Sequence, residues 1–358
     1  MQKRLLLRTS TADTRPVYVA GTFNGWNAAH PDYQLQPTSK AGEYRIELNL
    51  PPDTSYVEYK YTRGGWESVE LSYSGDNTIN RGKATNQAWR HIDRVERWAG
   101  DGIYYHEELL PRIEVISEDF EIPQLIRTRR IAALLPHNYY ETDKRYPVLY
   151  LQDGQNLFDD YAPYGSWGVD KRLAMLSDVG MGDIIIISID HAESDRMGEF
   201  TPSFRTKLGR GDGKKYVRFL ADTLKPYIDD HFRTLEGPQH TGIGGSSLGG
   251  LISIYAGMMY PEVYDKLMIF SPSLWVTPDI PFQLVDLTNE FNGRIYLYGG
   301  AAESATMVPN LERFKQQLSE QQGASTVEFR LEIDPLGQHN EARWGQEFPQ
   351  AIEWLFFS

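Results

Sequence analysis

Residues 242–251 read GIGGSSLGGL, two adjacent serines among glycines. A serine held on a sharp turn between a strand and a helix can act as a nucleophile, provided a base takes its proton. Small flanking residues keep side chains from colliding with the neighbouring strand and helix. The stretch runs on into LISIYAGMMYPEVYDKL, which has helical character. Register separates the two serines: Gly245, Ser247 and Gly249 fit the pattern G-x-S-x-G, whereas Ser246 would need a glycine at 248, where Leu stands. Ser247 is the predicted nucleophile.

The base must be a histidine further along the chain. Of eight histidines, His339 lies in DPLGQHNEARWGQEFPQAIEWLF, after the strand-like TVEFRLEI and before a final amphipathic helix. His191, after the strand ending in Asp190, could face the same end of a sheet. A carboxylate must then hold the imidazole in the right tautomer and stabilise its cation. RIYLYGGAAES supplies Glu303 just past a strand. The alternatives are Asp279, Asp286, Glu290 and Asp334; Asp334 also ends a strand but sits on the same loop as His339, so Glu303 is preferred. The chain order Ser247, Glu303, His339 is the one expected for α/β-hydrolases. Donors for a tetrahedral oxyanion would be the backbone N–H of Leu248, next after the nucleophile, and that of Gln155 in YPVLYLQDGQNLFDD.

Two grammars divide the elements that must position these residues. In residues 1–90, Val17 to Ala20, Tyr44 to Leu50 and Tyr56 to Thr62 read as short strands between Gly, Pro, Asn and Asp clusters, which predicts a small antiparallel β-sandwich. Residues 91–112 carry Trp98, Tyr104 and Tyr105 among charges and read as a linker packed on its neighbours. From 113 to 358, strand-like runs (Tyr146 to Leu151, Asp183 to Asp190, Lys266 to Phe270, Arg294 to Gly299) alternate with amphipathic helical segments. Alternation of that kind predicts an α/β domain, a mostly parallel sheet covered by helices on both faces.

Composition excludes several classes of function. At 358 residues with 41% apolar and 24% charged residues, there is ample material for a buried core. The 36 Lys and Arg against 49 Asp and Glu leave a net charge of -13, which repels nucleic acid and anionic membrane surfaces. Absence of cysteine removes disulfides, thiolate metal sites and thiol catalysis together. The start, MQKRLLLRTS, lacks a signal-peptide core, so the chain as given reads as cytoplasmic; a leader removed beforehand would make it secreted or periplasmic. Ile184 to Ile189 is too short an apolar run to cross a bilayer.

The stretches YLQDGQNLFDD, SWGVD, RMGEFTPS, GGSSLGGLISIYAGMMYPEVYDK, FSPSLW, GGAAES and GQHNEARWGQEFP, spread in order over residues 113–358, resemble the esterase D-type group of α/β-hydrolases. That group includes enterobactin-type siderophore esterases, formylglutathione hydrolases, and acetylxylan and feruloyl esterases. The resemblance puts Ser247, Glu303 and His339 at the triad positions and implies a serine carboxylic-ester hydrolase with no metal or organic cofactor. In the small domain, VYVAGTFNGWN, EYRIELNLPPDTSYVEYKYTRGGWESVE and GDNTINRGK are similar to the glycogen-binding module of AMP-activated kinase and related starch-binding modules. That likeness implies sugar contacts at Trp26, Lys60, Trp66 and Asn80 and a polysaccharide partner. The expected substrate is an acyl ester of a carbohydrate, acetyl or feruloyl. A siderophore trilactone is the runner-up, for which Arg196, Arg205, Lys207 and Arg210 would supply a basic pocket; Arg196 and Trp275 are the expected pocket residues. A hypothesis of another class is a non-catalytic carbohydrate-binding protein.

Overall fold

In the computed structural model the described residues are 2–9, 15–71, 78–89, 92–95, 97–100, 105–277, 291–320, 327–335 and 337–358. They divide into two compact units, Met1–Tyr104 and Tyr105–Ser358.

The first unit is all β. Its strands are β1 Gln2–Thr9, β2 Val17–Gly21, β3 Gln34–Pro37, β4 Glu43–Asn49, β5 Tyr56–Thr62, β6 Glu70–Leu71, β7 Arg81–Ala84, β8 Ile92–Val95 and β9 Arg97–Trp98. Seven of them form one curled sheet in the order β7-β5-β2-β3-β4-β1-β8, and β6 pairs with β9. The two halves of the expected sandwich are joined because β3 serves both: Leu35 pairs with Val17 of β2, and Gln36 with Arg45 of β4. Period-two patterning builds the core. Along β5, Val57, Tyr59 and Tyr61 point inward with Val17, Val19, Leu5, Leu7 and Trp98, while Glu58 and Lys60 lie on the other face. Residues 91–112, read as a linker, contribute β8, which runs parallel to β1, and β9.

The second unit is an eight-stranded sheet in the order β10-β11-β13-β12-β14-β15-β16-β17. Its strands are β10 Arg112–Ile122, β11 Arg127–Leu135, β12 Val148–Gln152, β13 Ile185–Ile189, β14 Thr241–Ser246, β15 Lys266–Phe270, β16 Arg294–Gly300 and β17 Glu328–Asp334. The pairs β10–β11 and β11–β13 are antiparallel and the other pairs parallel, so the sheet is mostly parallel as expected. Each central strand sends alternate residues to opposite cores. Val148 and Tyr150, Leu267 and Ile269, and Ile295 and Leu297 meet helices Gly213–Phe219, Leu248–Met259 and Met307–Glu320. Leu149 and Leu151, Met268 and Phe270, and Tyr296 and Tyr298 meet Val169–Asp178 and Glu341–Ile352. Burial on both faces is why these strands read as near-continuous apolar runs.

Candidate active site

The turn after β14 carries Ser247, with φ 56° and ψ -121°, a conformation that L-residues rarely adopt. Main-chain hydrogen bonds hold it there: Ser247 N donates to Phe270 O at 3.0 Å, and its own carbonyl accepts from Leu251 N at 3.1 Å and Ser273 N at 3.0 Å. Close approach explains the glycines. A Cβ at Gly245 would lie 3.0 Å from the Gly249 backbone, and one at Gly249 would lie 2.8 Å from Asp153 Oδ2. Ser247 Oγ lies 3.3 Å from Ser273 Oγ, and either hydroxyl can donate.

Glu303 follows β16, and His339 follows β17. Their loops meet where a Cβ on Gly337 would lie 2.7 Å from Gly300 Cα, so neither position tolerates a side chain. Glu303 Oε1 accepts from Gly300 N and from Ser271 Oγ, both at 2.6 Å. Its Oε2 lies 2.6 Å from His339 Nδ1, with the carboxylate buried and the imidazole exposed. An ionised carboxylate can only accept, so the proton sits on Nδ1 and Nε2 keeps its lone pair. Asn340 caps the Glu341–Ile352 helix by accepting from Arg343 N at 3.1 Å, which fixes where the loop bearing His339 ends. The structure therefore brings Glu303 and His339 into direct contact. Ser247 sits one strand away, bonded to the carbonyl of Phe270, whose neighbour Ser271 bonds Glu303.

Of the other candidate acids and bases, Asp334 and His191 are engaged elsewhere. Asp334 accepts from Tyr298 Oη at 3.2 Å and Arg343 Nη1 at 3.3 Å. Asp279, Asp286 and Glu290 lie outside the described residues. His191 Nδ1 accepts from Glu193 N at 2.9 Å, and burial holds its imidazole below the usual range. Burial also raises the carboxyl of Glu341, which accepts from Asn156 Nδ2 at 3.3 Å.

Leu248 opens the helix after Ser247, where first-turn N–H groups have no intrahelical partner. Gln155 lies in the short turn Gly154–Asn156 after β12, and its side chain clasps His191: Nε2 donates to His191 O at 3.0 Å and Oε1 accepts from His191 N at 2.9 Å. Arg196, expected in a substrate pocket, makes a bidentate pair with Asp153, Nε to Oδ1 at 2.5 Å and Nη2 to Oδ2 at 2.8 Å. Trp275 is 48% exposed on the turn Leu274–Val276. Arg205, Lys207 and Arg210 are exposed, and Lys207 N donates to Val276 O at 3.0 Å.

In the first unit, the rings of Trp26 and Trp66 lie 6.2 Å apart at 39°. Lys60, on the outer face of β5, donates from Nζ to Thr78 O. Asn80 is exposed, next to Arg81, which pairs with Tyr59 of β5.

Sequence reasoning passed over Ser271 and Trp344. Trp344 Nε1 donates to Ser271 Oγ at 2.9 Å, and its ring meets the His339 ring edge-on at 4.9 Å. Both residues stand in stretches already quoted, FSPSLW and GQHNEARWGQEFP. Neither residue type by itself signals a role beyond a polar turn and an apolar helix face.

A sheet of this strand order, with a serine on the turn after its fifth strand, defines an α/β-hydrolase. The Esterase family model matches residues 122–355, and the chain belongs to that family, a carboxylic ester hydrolase. An alpha-amylase of Niallia circulans is 47% identical over 78 residues, 22% of this chain and 6% of that enzyme. A ferulic acid esterase from Anaeromyces mucronatus, solved with ferulic acid, has the same fold at TM-score 0.52 and 18% identity, covering 72% of this chain and 93% of its own. The enterobactin esterase FES of Shigella flexneri, solved with enterobactin, aligns at TM-score 0.54 and 15% identity over 99% of this chain and 92% of its own. Among the described residues no helix is long and apolar enough to cross a membrane.

Proposed function

We propose that this chain is a serine esterase acting through Ser247, His339 and Glu303 and an acyl-enzyme, on acyl esters of carbohydrates. The observation that carries the reading is the 2.6 Å contact of Glu303 Oε2 with His339 Nδ1, which leaves Nε2 to act as base. Ser247 Oγ attacks the ester carbonyl as its proton passes to His339 Nε2. The oxyanion is met by the N–H groups of Leu248 and Gln155, and the alkoxide departs with the proton from His339. Water, deprotonated by the same imidazole, then releases the acid and restores Ser247.

The carbohydrate assignment is supported by the tilted Trp26–Trp66 pair and by the stretch 47% identical to an alpha-amylase. Indole faces stack on pyranose rings, while Lys and Asn bond hydroxyls. A siderophore trilactone is the second reading, favoured by the alignment with the enterobactin esterase over both units. Against it, iron-loaded catecholates are anionic, and the guanidinium of Arg196 is already paired with Asp153.

A panel of acetylated xylan, methyl ferulate and a catecholate trilactone, with Ser247→Ala as control, tests these readings. Release of acetate or ferulate that vanishes in the control is expected; turnover of the trilactone alone would overturn the carbohydrate assignment. Failure to hydrolyse p-nitrophenyl acetate or to label with a fluorophosphonate at Ser247 would leave the non-catalytic binding reading. Retarded migration in glycogen, starch or xylan gels, abolished by Trp66→Ala, is expected of the first unit, and unchanged migration would remove its sugar role.

A further inference from the structure

Asp153 follows β12 in a left-handed conformation, φ 59°, and begins the turn that carries Gln155. Its carboxylate is buried and packs against Gly249, in the first turn of the helix that opens after Ser247. The same carboxylate is clasped by both the Nε and Nη2 of Arg196. Arg196 is itself firmly mounted. It opens the short helix Arg196–Glu199, whose Glu199 is buried and bonded by Arg127 Nη1 at 2.9 Å and Arg129 Nη2 at 2.6 Å, both on β11. Its guanidinium also lies 5.1 Å from the centre of the buried Phe200 ring. A second tie runs alongside, from the Gln155 side chain to the main chain of His191.

Resting on the esterase reading, we propose that Arg196 is a positioning residue: through Asp153 it holds the Asp153–Gln155 turn against the helix after Ser247, so that the amides of Gln155 and Leu248 converge on one oxyanion. The planar fork matters as well as the charge, because two parallel N–H···O bonds fix the carboxylate in direction and in place. Arg196 then selects no anionic substrate. Its loss weakens the transition state of every ester alike.

The test compares Arg196→Gln, Arg196→Lys and Asp153→Asn in the full chain, using neutral p-nitrophenyl acetate and anionic p-nitrophenyl hemisuccinate. Arg196→Gln should lower kcat by about 10- to 100-fold on both esters with KM little changed, short of the loss from deleting an oxyanion donor outright. Arg196→Lys should recover only part of that loss, since an ammonium keeps the charge and lacks the fork. Inhibition by phenylboronic acid should weaken in parallel with kcat, because boron takes a lone pair of Ser247 Oγ as the hydroxyl proton passes to His339 Nε2, and the tetrahedral adduct places an oxygen where the oxyanion would lie. A rise in KM confined to the hemisuccinate would make Arg196 an anion receptor and overturn the proposal. Unchanged kcat in all three variants would overturn it too. If Arg196→Gln does not fold, the folded Lys and Asn variants decide. Wild type inactive on both esters, or Ser247→Ala still active, would instead sink the esterase reading.

Discussion

Trp344 Nε1 donates to Ser271 Oγ at 2.9 Å, and an indole N–H can do nothing but donate. The Ser271 hydroxyl hydrogen is thereby free to turn to Glu303 Oε1, 2.6 Å away. With Gly300 N on the same oxygen, Oε1 is saturated and Oε2 is turned to His339. The Trp344 ring, edge-on to the imidazole at 4.9 Å, steadies the other side of that bond. One residue therefore orients both Glu303 and His339.

The direct consequence is a pair of variants that act as one. Ser271→Ala and Trp344→Phe should each lower kcat about tenfold, the order of one hydrogen bond to a charged group, with KM nearly unchanged. The double variant should lose little more than either single one, because both break the same chain. Steady-state kinetics on p-nitrophenyl acetate measures the cycle; fully multiplicative losses would show that the two residues act separately.

Strain at Ser247 gives a prediction on stability. With φ 56° and ψ -121°, Ser247 occupies backbone space that costs an L-residue about 1–3 kcal/mol, and glycine escapes most of that cost. Glycine also loses more chain entropy on folding, by roughly 0.5–1 kcal/mol. Ser247→Gly should therefore be more stable than Ser247→Ala by about 1 kcal/mol in urea unfolding, with both inactive. Equal midpoints would show that the turn is relaxed.

Strands were legible where an apolar or alternating run is bounded by turn residues. Tyr56–Thr62 and Lys266–Phe270 appear with the predicted ends, since β-branched and aromatic runs between turn residues have few alternatives. The hairpin of β10 and β11 was not, because RIEVISEDFEI mixes charges with its apolar residues and bears register shifts at Val115/Ser117 and Ser117/Phe120 that break its alternation. At the candidate site, Ser247, Glu303 and His339 follow β14, β16 and β17, and their order and spacing along the chain were enough to propose them. The bond from Trp344 to Ser271 joins residues 73 apart and leaves no trace in local pattern. Arg196 illustrates the converse: as an arginine in a loop it suggested an anion pocket, and only the fold reveals that Asp153 occupies its fork.

Packing under the turn is tight enough for a methyl group to register. Alanine at Gly249 would place Cβ 2.8 Å from Asp153 Oδ2 and 3.1 Å from Gln152 Cβ. The relief open to it is to push Asp153 out of the Arg196 fork, which moves the turn bearing Gln155. Gly249→Ala should lower kcat at least tenfold and destabilise the fold by about 1–3 kcal/mol, the range for overpacking. Kinetics and thermal unfolding check this together; a folded, fully active variant would mean that the turn yields without consequence.

Asp190 makes stability depend on pH in a direction opposite to most carboxylates. It lies just past β13, behind that same turn, with Oδ1 2.5 Å from where a Cβ on Gly154 would lie, 3.7 Å from Arg130 Nη1, and accepting no hydrogen bond at Oδ1 among the described residues. Burial is the main cause that pushes its carboxyl up to about 6 from 3.8; Glu118 and Glu193 add to it, while Arg130 and Arg129 oppose it. A raised folded value means the proton is held more tightly in the native state. The stabilisation is complete below about 4 and is lost as pH rises through about 6. Above that the native state carries a poorly solvated charge costing on the order of 1–3 kcal/mol. Asp190→Asn, isosteric and neutral at every pH, should accordingly unfold at a higher temperature than wild type at pH 8. The gap should close as pH falls from 6 to 4; a gap that is constant across this range would exclude Asp190 as the titrating group.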